Sequence, residues 1–281
     1  MNAFRRVWAV RSARLGIILA LLLVGIAVLG PVLLRTDPNA IDVRARFAGP
    51  SLAHPLGTDD LGRDTFTRLV HGSRMSLYIA AVSALLGTAL GVSIGVLSGF
   101  LGGWVDITGM RIVDLFFAIP TLLVAIGIVA LFGPSATTTI LALGIAYAPL
   151  YARLVRGAVV GVRGRTYVDA SRVIGASGWR LLRTDILPGI LPIALVQSTA
   201  LLGFALVDEA SLGFLGLGVQ PPDASWGAMT NAGRQFIFQA PWLTLIPGVA
   251  VIIAVFAINL IGDGMRDALD PRTSQRVGDA G

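Results

Sequence analysis

Lysine and cysteine are both absent from the 281 residues, and histidine occurs only at His54 and His71. Each absence excludes a chemistry. A Walker A loop sets a Lys on nucleotide phosphates, so the chain has no such ATP site of its own. Without Cys there is neither a disulfide nor a thiolate metal site, although this does not fix a compartment. Charge is also scarce: 14% of residues carry it, against roughly a quarter in an ordinary soluble domain. Lipid-facing surface does not tolerate charge, so the shortfall is a class signal.

What fills the chain is apolar and small. Hydrophobic residues make up 55% and glycine occurs 34 times, and glycine is more frequent in membrane helices than in soluble ones. The net charge of +6 is carried entirely by Arg. A basic balance suggests nucleic acid, but these Arg residues cluster beside apolar runs, as topology signals do. The expected partner is therefore a lipid bilayer and not nucleic acid.

Six apolar runs predict an all-α integral membrane protein with six transmembrane helices, at 16–34, 77–101, 113–132, 137–154, 186–207 and 241–262. The first is uncharged for 19 positions, longer than the apolar region of a cleaved signal peptide, and reads as an uncleaved helix. In the second, Gly87, Gly91, Gly95 and Gly99 recur every four positions and share one helical face. Such a face lets another backbone approach closely, so helix packing is expected there. The charge-free stretch from Leu115 to Ala152 is too long for one span, and Gly133-Pro134-Ser135 divides it. The stretch 210–220 is apolar but too short to cross, and reads as a re-entrant or interfacial piece. With the N-terminus inside, the inner segments hold fifteen Arg and the outer ones seven, which places both termini in the cytoplasm.

The segment 166–192 between the fourth and fifth spans is polar, Arg-rich and marked by helix signals. Thr166 followed by Asp169 fits a capping box, and Gly175 suits a left-handed helix end. Ser177 can cap a second short helix that stops before Pro188. Tyr167, Ala170 and Ile174 would line one face of the first helix, an apolar knob suited to a groove on another protein.

Asp169-Ala170-Ser171, three residues, Gly175, then Ile186-Leu187-Pro188 resembles the EAA signature of binding-protein-dependent ABC importer permeases. Asp stands for the usual Glu, Ser for the second Ala, and the isoleucine directly precedes Leu187. The runs 54–64 (HPLGTDDLGRD), 102–106 (GGWVD), 214–222 (FLGLGVQPP) and 262–271 (GDGMRDALDP) are similar to the C-type chains of the dipeptide, oligopeptide and nickel group. The resemblance covers about residues 50–272. It implies the type I ABC importer permease fold in the cytoplasmic (inner) membrane, with residues 1–72 as the N-terminal helix and external loop, 73–265 as the permease core and 266–281 as a tail. A coupling loop would span 153–186. Contact with an ATPase subunit would fall to Tyr167, Asp169, Ala170, Ser171, Ile174, Gly175, Leu187 and Pro188. The implied partners are a second, B-type permease subunit, two ATP-binding subunits and an extracytoplasmic solute-binding protein. The implied activity is uptake of dipeptides or oligopeptides, with nickel or another small solute as the alternative. The chain itself would be neither an enzyme nor the holder of a cofactor.

Other chemistries are weaker. His54, Asp59, Asp60 and Asp64 are metal-type donors, yet a Gly- and Pro-rich turn with Asp caps accounts for the same letters. Gly175-Ala176-Ser177-Gly178 mimics a serine-protease motif, but no His follows it to act as base. A secondary transporter would need ionisable groups near the midplane. Here the acids fall at span edges: Asp106 and Asp114 flank Arg111 at the inner edge, while Asp208 and Glu209 close the fifth span near the outer boundary. Those last two are candidates for the outer gate or the translocation path.

Overall fold

The computed structural model describes Trp8 and residues 10–269. Arg5, Arg6, Asp270, Pro271, Arg272 and Arg276 lie outside the described residues. Among the described residues the chain is helical throughout, apart from turns, loops and an isolated bridge between Thr58 and Asp64. The helices are α1 (Arg11–Leu34), α2 (Thr65–Leu101), α3 (Gly103–Phe117), α4 (Thr121–Phe132), α5 (Ala136–Arg163), α6 (Thr166–Val173), α7 (Gly178–Leu181), α8 (Leu187–Phe214), α9 (Trp226–Arg234) and α10 (Trp242–Leu269). Five stretches are long and apolar enough to cross a membrane: α1, α2, α5, the joined run Gly178–Phe214, and α10. The pair α3 and α4 makes a sixth only as one broken crossing, bent by 87°.

That break departs from the single span expected at 113–132. Pro120 stands just before α4. Proline has no N–H to give a preceding turn and pushes the residue before it out of the helical region, so the helix stops there. The 12 residues of α4 rise about 18 Å, short of a hydrocarbon core of about 30 Å. α3 is pinned beside α5 by ion pairs. Asp106 accepts from Arg156 Nε and Nη2 at 2.7 and 2.6 Å, and Asp114 pairs with Arg153, whose guanidinium lies over the Phe117 ring.

The second helix begins at Thr65, earlier than the apolar run from 77 suggests. Asp64 caps it, accepting from Thr67 N at 2.7 Å. The polar first turns persist because the 35–64 loop satisfies them: Arg68 Nη1 donates to Pro38 O at 3.0 Å and to Asn39 Oδ1 at 2.8 Å. At the far end of the fifth span, Ala210–Phe214 continue α8 and are not a separate re-entrant piece. Gly216 at φ +79° ends that helix, with Leu217 N bonded to Leu212 O at 2.8 Å and Gly216 N to Gly213 O at 3.0 Å.

The core forms where α2 lies along α5, with α8 and α10 closing it and α1 packed on α10 and α2. α9 wedges between α8 and α10. Trp226, almost fully buried, fixes it: its backbone N–H donates to Ser76 Oγ at 3.0 Å and its indole N–H to Leu69 O at 3.2 Å.

Candidate functional site

Two places gather the residues singled out from the sequence. The first is the elbow between α5 and α8. α6 begins directly at Thr166, with Arg165 as its uncapped N-cap residue. The expected capping box is therefore not formed. Val168 N and Asp169 N bond to Arg165 O at 3.0 and 3.3 Å, so the first turn is built one residue earlier than Thr166 would set it. Asp169 instead pairs with Arg172 at 3.3 Å on the exposed side. The helix ends at Gly175, φ +85°. Gly175 N bonds to Arg172 O at 2.9 Å and Ala176 N to Ser171 O at 3.0 Å, the paired closure in which a left-handed glycine satisfies the last carbonyls. Ser177 caps α7 through Arg180 N at 3.4 Å.

α7 does not stop before Pro188. It runs through a five-residue π turn, Leu182–Ile186, into α8. The wider turn bonds Leu187 N to Leu182 O, so the helix carries Pro188 at its start without losing its course. Val168, Leu181 and Ile186 are buried in the bundle, each contributing roughly 1.5–3 kcal/mol. Tyr167 reaches back toward Gly189. Val173, Ile174 and Trp179 point outward, 87%, 85% and 64% exposed. The elbow is thus anchored on one side and presents large apolar side chains on the other. Ala170, Gly175, Leu187 and Pro188 are also exposed, and Ser171 half-buried. Val173 and Trp179 escaped the sequence reading. A Trp within an Arg-rich segment was the available signal, and its ring lies under Arg183.

The second place is the C-terminal part of α8. Glu209, the chain's single glutamate, is fully buried and not solvated at an interface. The Ser76 and Ser225 hydroxyls stand beside it. Each of those oxygens accepts a backbone N–H, from Trp226 and Ala228, while both Glu209 carboxyl oxygens are buried without a hydrogen-bond partner among the described residues. Glu209 therefore sits where α2, α8 and the start of α9 meet. Asp208, one residue earlier, accepts from the Tyr147 hydroxyl of α5. The two acids are neighbours in sequence but serve different junctions, and neither touches the elbow.

The family profile described as "Binding-protein-dependent transport system inner membrane component" matches residues 91–275, which contain both places. The chain belongs to this family of ABC importer permeases. Curated relatives agree along nearly the whole length. A Brucella suis protein provisionally named as a peptide transport system permease is 44% identical, over 95% of this chain and 90% of its own. A dipeptide transport system permease of Alkalihalophilus pseudofirmus is 39% identical, over 96% and 89%. A glutathione transport system permease of Escherichia coli is 41% identical, over 96% and 88%. Among solved structures, a chain of the MetNI methionine ABC transporter superposes with a TM-score of 0.60 at 24% identity, covering 73% of this chain and 98% of that one. The all-helical fold is that of type I importer permeases.

In this permease the four glycines of α2 meet the backbone of α5. A Cβ on Gly91 would fall 2.4 Å from Tyr151 Cβ and 2.9 Å from Ala148 O. One on Gly95 would fall 2.5 Å from Ala152 O, and those on Gly87 and Gly99 would lie 3.0 and 2.9 Å from side chains of Tyr147 and Val159. Tyr151 adds a polar tie, donating to Ala194 O on α8. In the 35–64 loop, the carboxylates that read as metal-type donors are occupied in turn-building. Asp64 caps α2 and contacts His54 Nδ1 at 3.0 Å. Asp59 accepts from Leu61 N and Arg63 N, both at 2.9 Å, and from Arg63 Nε at 2.7 Å.

Proposed function

We propose that this permease is the C-type subunit of an importer for short peptides, driven by ATP hydrolysis in separate subunits that dock on the 166–188 elbow. The observation that carries the reading is the exposed apolar surface of Val173, Ile174 and Trp179, set beside a left-handed glycine and anchored to two spans. Large apolar side chains left uncovered mark a contact surface, and the elbow joins α5 directly to α8. Pushing it would move both helices together. Peptide cargo is supported by the relatives named for dipeptide and glutathione transport. In this reading Tyr167, Asp169, Ala170, Ser171, Ile174, Gly175, Leu187 and Pro188 form or position the docking surface, and Asp208 and Glu209 belong to the outer gate. A B-type permease subunit, two ATP-binding subunits and an external solute-binding protein complete the assembly. The N-terminus, elbow and tail face the cytoplasm of the inner membrane.

Proteoliposomes holding the assembled importer test this by ATP-dependent uptake of a radiolabelled dipeptide. Gly175→Val places a β-branched residue at φ +85°, which costs about 1–2 kcal/mol for the left-handed region. No neighbouring atom lies within 4 Å to clash, so the chain should insert normally. Uptake should fall to background while the protein remains in the membrane at wild-type level. Wild-type uptake in that variant, or uptake by the permease without any ATPase, would overturn the reading.

A further inference from the structure

A cavity of about 690 Å³ lies between α1 and α2 under the outer loops. Its lining is of two kinds. His71, Arg74, Asp223 and Asn39 supply polar groups. Most of the rest is apolar, with Val24 and Val28 of α1 across from Leu77 of α2. A second cavity of about 230 Å³ continues past Val24 and Leu77 toward α8 and α10, lined by apolar side chains and Thr199. Val24 and Val28 are 52% and 59% exposed, so the groove also opens sideways along α1.

Three observations define an occupant. Val24 is ten residues from the outer end of α1 at Leu34, about 15 Å at 1.5 Å per residue. That is half of a core about 30 Å thick, the depth of one leaflet. The polar lining carries both signs of charge, and neither Arg74 nor Asp223 forms an ion pair among the described residues. His71 Nε2 is buried with no hydrogen-bond partner there. A polar atom in that position calls for a partner.

We propose that this groove binds an outer-leaflet phospholipid with a primary-amine headgroup. One acyl chain runs between α1 and α2, Arg74 and His71 hold the phosphate, and Asp223 accepts from the ammonium. A free peptide is also a zwitterion, but its amide groups would meet apolar walls with no hydrogen-bond partners, which is unfavourable. An acyl chain gains on every methylene buried there.

Native mass spectrometry of the full-length permease, purified with its partner subunits in a neutral detergent, provides the test. Phosphatidylethanolamine, phosphatidylcholine, phosphatidylglycerol and a dipeptide are added in parallel. Phosphatidylethanolamine should be retained preferentially, because phosphatidylcholine has no N–H for Asp223 and phosphatidylglycerol has no cation. Arg74→Gln and Asp223→Asn, both at exposed positions, should each lower its retention roughly tenfold, the scale of one lost charged hydrogen bond. Val28→Trp should narrow the groove and abolish retention, while unfolding temperature stays near wild type. Equal retention of the three lipids, unchanged in all three variants, would mean unspecific annular lipid and overturn the proposal. Saturable dipeptide binding lost in Arg74→Gln would overturn it in favour of a transport site. A cross-link from Val28→Cys to the second permease subunit would overturn it in favour of a protein contact.

Discussion

Gly91 makes the tightest of the four approaches between α2 and α5, and its neighbour is backbone as well as side chain. A methyl placed 2.4 Å from Tyr151 Cβ and 2.9 Å from Ala148 O cannot be accommodated by a rotamer change. The helices must part, and the Tyr151 hydroxyl would then lose its alignment with Ala194. Gly91→Ala should therefore destabilise the permease by about 1–3 kcal/mol, the range for overpacking. Gly157 on α5 has nothing within 4 Å, so Gly157→Ala should be neutral or stabilising by up to about 1 kcal/mol through helix propensity. Unfolding in detergent, followed by loss of helical signal, compares the two. If both substitutions behave alike, the glycine face is not an interface. Glu209 offers a second residue-level comparison. Glu209→Gln keeps the side chain's shape beside Ser76 and Ser225 and should unfold near the wild-type midpoint or above it. Glu209→Ala leaves a cavity in the core beside both hydroxyls and should cost roughly 0.5–3 kcal/mol. Equal midpoints for the two variants would remove Glu209 from that junction.

At the scale of elements, the elbow separates anchoring from presentation. Val168, Leu181 and Ile186 hold it, while Val173 and Ile174 project. Replacing Val173 and Ile174 together by Asp should leave folding intact, since neither side chain is covered, and should abolish co-purification with the ATP-binding subunits. Retained ATPase subunits in that double variant would exclude this surface as the dock. The two short helices and their glycine joint were legible from Gly175 and Ser177, because a left-handed residue and a hydroxyl cap are local demands. The capping box and the stop at Pro188 do not form, because they depend on which turn begins the helix and on a π turn that leaves room for proline. The apolar spans were legible because lipid tolerates little else. The start of α2 at Thr65 was hidden by Arg68, whose hydrogen bonds come from a loop 29 and 30 residues away. The Tyr147–Asp208 tie, 61 residues apart in sequence, left no local trace.

For the whole molecule, the bent pair α3–α4 decides how many times the chain crosses. If that pair counts as one crossing, then α1, α2, α3–α4 and α5 bring the chain back to its starting side before the elbow. If it folds back without crossing, α5 delivers the elbow to the opposite side. Orientation adds a second choice, for which the excess of Arg beside the N-terminus, elbow and tail favours the inside. The lack of native cysteine allows single reporters without background. Leu52 is fully exposed in the 35–64 loop, and Ser177 is exposed on the elbow. In intact cells, an impermeant maleimide should label Leu52→Cys and spare Ser177→Cys until the membrane is opened. Labelling of both from outside would mean that the bent pair does not cross. Protection of Leu52→Cys in intact cells, with Ser177→Cys labelled there, would invert the chain. In either of those cases an exposed Ser177 outside the cell could not meet an ATP-hydrolysing partner, and the apolar knob at Val173 and Ile174 would need a different explanation.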